Sequence, residues 1–421
     1  MRPRTLVFAA VLAAAAGCSA DAPAPFSAPP PFKTGAQLLV ERDFAGLEGL
    51  RVGLIANPTS MVGPRHLADL LHESPRVHLQ ALFAPEHGIR GDADAGADVA
   101  DEVDPDTGVP VRSLHGATRK PTPEMLADVD VLVFDLQDVG TRFYTYISTL
   151  GLAMQAAAEA GIPFQVLDRP NPLGGTRVEG FTLEMENESF IGMYPIPATH
   201  GMTVGEVALL LKGEGMLPGL EALDLTVVAM EGWRRDMLWP ETGLPWVPPS
   251  PNIPDFETAV VYPGACFFGS VEGNEGRGTE RPFLQVGTLW ADGEALAAEL
   301  NARALPGLRF EAAAYTPRSI PGMSTEPRLE GREVRGVRYR VTDPAAVRPV
   351  EAGVHLLHAF WHQAPEEAKA GFFVEAPFRR VTGTSRLHAM LQEGRTPEEI
   401  VAAWRPDVEA FLELRRPYLL Y

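Results

Sequence analysis

Cysteine is almost missing from this chain, with Cys18 and Cys266 the only two among 421 residues. No cysteine and histidine set has zinc spacing, so neither a disulfide framework nor a structural zinc holds the fold. Positive charge is short as well. Lys and Arg number 36 against 55 Asp and Glu, a net charge of -19 that argues against nucleic acid or an anionic lipid surface as a partner. The apolar run Leu6 to Ala16 is too short for a permanent membrane helix, which needs about 20 apolar residues. No Gly-x-Ser-x-Gly elbow marks a serine esterase, and no Gly-x-Gly-x-x-Gly follows the first strand to mark a dinucleotide site. No cofactor or metal is called for.

What is present begins at the N-terminus. Met1-Arg2-Pro3-Arg4 is a basic start, and the apolar run ends in Gly17-Cys18. That order reads as a lipoprotein signal peptide over 1–17, with Cys18 the lipidated first mature residue. Two fatty chains suffice for stable anchoring, which tethers a soluble body without embedding it. Ser19 stands where an Asp would favour retention in an inner membrane, so the expected address is the periplasm, on the inner leaflet of the outer membrane. Residues 18–35, rich in Ala, Pro and Ser, read as the tether. Cys266, in Val260 to Phe268, reads as a small buried hydrophobe.

The remainder divides into 36–256 and 257–421 at the proline-rich stretch Leu244 to Asp255. In the first part, Val52 to Ala56, Leu79 to Phe83, Val131 to Asp135 and Phe164 to Asp168 are near-continuous apolar runs separated by amphipathic segments. That is the pattern of a parallel, doubly wound sheet covered on both faces, an α/β fold. The second part mixes strands such as Val334 to Val341 with helices such as Asp292 to Ala304, a smaller α+β domain. Thr203 with Glu206 forms a capping box, and Thr122 before Pro123 marks another helix start.

Each apolar run ends in polar and turn residues, and in open α/β sheets the ligand crevice lies beyond the carboxyl ends of the strands. Asn57 follows the first run. Pro85-Glu86-His87-Gly88 and Arg90 follow the second, with Glu86 as a carboxyl that His87 and Arg90 can orient, or as half of an ion pair that ties down a loop. Gln137, Asp138, Arg142, Tyr144 and Tyr146 follow the third, Asp168 and Asn171 the fourth. His200 before the Thr203 cap and Asn252 in the proline-rich stretch add polar side chains, and Glu275 and Arg277 lie in a glycine-rich loop.

Together Gly53 to Thr59, Phe83 to Gly91, Val133 to Tyr146, Leu167 to Gly175, Ile196 to Thr203, Pro248 to Pro254, Glu275 to Thr279 and Arg416 to Tyr421 resemble the exo-β-N-acetylmuramidase family over nearly the whole mature chain. The resemblance implies a Rossmann-like domain, a smaller C-terminal domain and an active site in the cleft between them. It further implies a glycosidase that releases N-acetylmuramic acid from the non-reducing ends of peptidoglycan fragments, with Glu86 the favoured catalytic residue. His87 and Asp138 are taken as its catalytic companions. Because muramic acid carries a lactyl carboxylate, Arg90, Arg142 and Arg277 have a plausible task as an anion clamp. The competing reading is a periplasmic muropeptide-binding lipoprotein with the same cleft and no catalysis.

Overall fold

The computed structural model describes residues 31–91 and 101–421. The expected signal peptide, Cys18 and all of the tether before residue 31 lie outside the described residues. Among the described residues the first region has nine strands: β1 Arg51–Ala56, β2 Met61–Val62, β3 Arg65–His66, β4 His78–Ala84, β5 Glu102–Val103, β6 Pro110–Ser113, β7 Val131–Asp135, β8 Phe164–Leu167 and β9 Leu225–Val228. Apart from the β2–β3 ribbon they make one sheet in the order β5-β6-β4-β1-β7-β8-β9. Only the β5–β6 pairing is antiparallel. The chain winds outward from β1 through β4 to one edge, then returns to lay β7 on the other side of β1. The carboxyl ends of β1 and β7 therefore flank the topological switch point, where such sheets hold their ligands.

Alternation along the strands explains why they read as unbroken apolar runs. Val52, Leu54 and Ala56 of β1 with Val131 and Val133 of β7 enter one core, while Ile55, Leu132 and Phe134 enter the other. Both faces are covered, as the sequence pattern requires. The second of these cores does not stop at the sheet. It runs on through Phe267, Phe310 and Phe360 to Trp404, so one apolar interior serves both halves of the chain.

Three antiparallel strands, β10 Gln285–Thr288, β11 Leu308–Tyr315 and β12 Val334–Val341, form a second sheet in the order β10-β12-β11. Helix Gly293–Ala302, capped by Asp292, packs on it. Leu244 to Asp255 is irregular, as its prolines dictate, and Asp255 caps helix Phe256–Ala265 by accepting from the Thr258 N–H at 2.8 Å. That helix lies against helix Pro349–Gln363, where Gly264 meets Gly353. A Cβ on Gly264 would sit 2.0 Å from the Pro349 carbonyl oxygen, so only glycine permits this crossing. The capping box of Thr203 with Glu206 and the cap at Thr122 are both formed.

Candidate active site

A cleft of about 520 Å³ opens beyond the carboxyl end of β4. Glu86 and His87 come from the loop after β4, and Phe143, Tyr144 and Thr145 from the segment that enters helix Tyr146–Ala160. Ser250, Asn252 and Ile253 come from the proline-rich stretch, Tyr262 and Cys266 from the helix it leads into. Arg277, Phe283, Arg380 and Val381 come from the second half of the sequence, with His115, Arg119 and Phe190 also on the lining. Both halves of the sequence thus contribute.

The Glu86 loop is tightly turned. The Gly88 N–H donates to the Pro85 carbonyl at 3.1 Å, and His87 and Gly88 both have left-handed backbone, at φ +77° and +76°. Histidine adopts that region at a cost, which surrounding structure must outweigh, and such conformations cluster at functional sites. Thr145 Oγ1 donates to Glu86 Oε2 at 2.9 Å and so orients the carboxyl. Burial holds the Tyr144 and Tyr262 phenols neutral, far above their ordinary range, with the Glu86 carboxylate adding to the effect. The Cys266 thiol is pushed up to about 12 by burial, which rules it out as a thiolate nucleophile near neutral pH. Among the described residues lining the cleft, Glu86 is the only carboxyl, against three arginines.

Of the residues singled out from sequence, Glu86, His87, Tyr144, Asn252 and Arg277 line this cleft. Others, Gln137 among them, do not line it. Asn57 Nδ2 donates to the Tyr146 hydroxyl at 2.7 Å, and that hydroxyl donates to the Pro249 carbonyl at 2.6 Å, so the pair ties β1 to the proline-rich stretch. Asp168 is fully buried and accepts from Thr203, the Gly205 N–H and the Tyr421 hydroxyl, joining distant segments. Asn171 holds a turn by accepting from the Leu173 N–H and donating to the Met202 carbonyl. Glu275 is buried and ion-paired with Arg277, and it does not line the cleft.

Two members of the expected anion clamp are placed otherwise. Arg90 is engaged by Asp104 and Asp69, at 2.8 Å each, which closes its own loop. Arg142 is completely buried, and its guanidinium donates to the carbonyls of Phe181, Ile196, Val381 and Thr382. Burial without an opposing charge brings it down to about 9. It reaches back into the protein, where those carbonyls are offered; the Ile196 carbonyl also accepts from the Leu183 N–H at 3.2 Å.

Asp138 also leaves the cleft. Its Oδ2 accepts from the Gly140 N–H at 2.6 Å and lies 3.8 Å from His200 Nε2. Burial pushes the carboxyl up to about 7 and brings the imidazole down to about 3, helped by Arg415 and Arg142, so the two are neutral together between those values and form no ion pair. The sign of the linkage follows. Between about pH 4, where an unfolded Asp loses its proton, and about pH 7, where folded Asp138 does, the native state holds the extra proton. Stability contributed here is full below that window and lost as pH rises through it. His200, held near 3, works in the opposite sense up to its ordinary value of 6.5, so Asp138→Asn is expected to change the slope of the urea midpoint against pH in the positive direction between pH 5 and pH 7 relative to the parent. An unchanged slope would show that Asp138 titrates normally.

Residues 52–257 match the family described as Exo-beta-N-acetylmuramidase NamZ, N-terminal, and residues 260–421 its C-terminal counterpart. The chain belongs to the NamZ exo-β-N-acetylmuramidase family. A relative from Bacillus subtilis (strain 168), the peptidoglycan beta-N-acetylmuramidase NamZ, is 42% identical over 408 residues, 97% of this chain and 95% of that protein. Two solved structures of DUF1343 family proteins from Bacteroides fragilis NCTC 9343 share the fold. One has a TM-score of 0.84 at 39% identity, the other 0.76 at 32%, each covering 93% of this chain and 99% of theirs.

In this NamZ-family chain the sequence reading overlooked Arg119, Arg380, Phe190 and Tyr262. Arg119 lies 4.4 Å over the Phe190 ring, and Arg380 is exposed on the helix Glu375–Thr382. Nothing in the local pattern of either arginine separates it from any surface arginine. Tyr262 packs edge-on to Phe143 and Phe283, a stack assembled from three separate segments.

Proposed function

We propose that this protein is an exo-acting glycosidase that removes N-acetylmuramic acid from the non-reducing ends of peptidoglycan fragments, with Glu86 as the group that protonates the leaving oxygen. The observation that carries this is a cleft whose described lining has one carboxyl, held by Thr145 on a strained turn, facing arginines in a chain of net charge -19. The name of the Bacillus subtilis relative supports the same chemistry. Arg119 and Arg380 take the role of recognising the lactyl carboxylate that muramic acid carries and glucosamine lacks, while the charge of Arg277 is matched by Glu275.

The test uses the purified chain with a muramic acid-glucosamine disaccharide, followed by release of free muramic acid. Arg119→Ala and Arg380→Ala should each lower kcat/KM on that substrate by roughly tenfold, the low end for a charged hydrogen bond at an open cleft mouth. The matching glucosamine glycoside should be affected far less. Equal losses on both would remove the clamp, and no release by the parent protein would remove the glycosidase reading itself.

We propose also a periplasmic, lipid-anchored location. It is supported by Gly17-Cys18-Ser19 after a basic and apolar leader, and among the described residues no helix is long and apolar enough to cross a membrane. Cys18→Ala is expected to release the protein from the membrane fraction and abolish uptake of a fatty-acid label. A parent protein that takes up no label would end this reading.

A further inference from the structure

Ser189 to Gly192 form a tight turn whose ends exchange both backbone hydrogen bonds, the Ser189 N–H donating to the Gly192 carbonyl at 3.0 Å and the Gly192 N–H to the Ser189 carbonyl at 2.8 Å. Its two tip residues, Phe190 and Ile191, both line the Glu86 cleft. Turn tips ordinarily carry Gly, Asn, Asp or Ser. Two large apolar side chains there, each only half-buried, need another reason.

Core packing accounts for one of them. Ile191 leans on the main apolar interior, whereas Phe190 belongs to no apolar cluster among the described residues. The groups that meet its ring are polar: the Arg119 guanidinium lies 4.4 Å over it, and the His115 imidazole stands 6.5 Å away between ring centres. Arg119 is exposed and has no carboxylate partner among the described residues, unlike Arg277, which is paired with Glu275. An exposed arginine otherwise samples many rotamers, and binding must freeze them. A ring beneath the guanidinium holds it by a cation–π contact and removes part of that cost beforehand.

The same turn borders the other cation of the cleft mouth, since a Cβ built on Gly192 would stand 3.8 Å from the Arg380 carbonyl oxygen. A lactyl ether carries a methyl and a carboxylate on one carbon, so a site that selects it needs apolar surface beside cations. We propose that the 189–192 turn is the element that selects the lactyl ether, with Phe190 a positioning residue that holds Arg119 for the carboxylate and Ile191 the surface that meets the methyl. The proposal rests on the reading of the cleft as a muramic acid site.

The test is calorimetric binding of three sugars to the full chain, which needs no turnover. N-acetylmuramic acid has carboxylate and methyl, 3-O-carboxymethyl-N-acetylglucosamine has the carboxylate alone, and N-acetylglucosamine has neither. Affinity should fall in that order. Ile191→Ala should cut the preference for the first sugar over the second by roughly fourfold, the worth of one buried methyl. Phe190→Ala should weaken both acids by roughly two- to fivefold, the range of an exposed cation–π contact, and leave N-acetylglucosamine unchanged. Phe190→Tyr should restore the affinity, while Phe190→Leu, apolar but without a π face, should not. In an Arg119→Ala background Phe190→Ala should add nothing. Equal weakening on all three sugars, or rescue by Leu as complete as by Tyr, overturns the proposal. A parent chain that binds the two acids no better than N-acetylglucosamine overturns it whatever the variants do. A chain that prefers the acids yet releases no muramic acid from the disaccharide keeps this proposal and removes the glycosidase reading, so the two failures are distinguishable.

Discussion

Glu86→Gln should lower turnover on the natural disaccharide by roughly 10²- to 10⁴-fold, the usual contribution of a general acid, while leaving binding in place. The substitution keeps the shape of the side chain and its contact with Thr145, 2.9 Å away in the parent, but removes the carboxylic proton. An aryl glycoside with an activated leaving group needs less protonation, so the variant should lose less on that substrate. Parallel kinetics on the two substrates, with binding measured separately, check this. Wild-type rates on both would place the acid elsewhere. Retained binding and biological effect without turnover in the parent would favour the non-catalytic muropeptide receptor.

Arg142→Ala should lower stability by at least about 3 kcal/mol, because each buried carbonyl left without a donor costs about 1 to 3 kcal/mol and the side chain leaves a cavity behind. The four acceptors belong to two places, Phe181 with Ile196 and the last turn of helix Glu375–Thr382. The cation also meets the negative end of that helix. Since Arg380 and Val381 of the same helix line the cleft, whatever fold survives should lose activity on muramic and glucosamine substrates alike. A lower urea midpoint at constant m is the expected signature. A variant of parental stability that loses only the muramic substrate would restore Arg142 to the clamp.

The sheet was legible where its strands are buried on both faces. Val131–Asp135 was readable residue for residue, since every side chain in it is covered. Glu102–Val103 and Leu225–Val228 were not, because they are short edge strands with exposed or half-exposed side chains. Glu86 could be found because a carboxyl on a proline-and-glycine turn after a buried strand is a local signal. The arginines could not. Arg90 meets Asp104 fourteen residues on, Arg142 meets Thr382 across 240 residues, and Arg380 reaches the cleft only through its helix. Local pattern states that a cation is present, not which way it turns.

The long reach of these contacts bears on how the chain is made. Arg142 waits for Val381 and Thr382, the carbonyls of His200 and Gly201 wait for Arg415, and Asp168 waits for Tyr421, separations of 239, 240, 215, 214 and 253 residues. During synthesis the last strand of the first sheet, ending at Val228, is made long before these partners exist. Each of these buried pairs is completed only when its C-terminal member has been made, so a chain truncated before Val381 would lack every one of them.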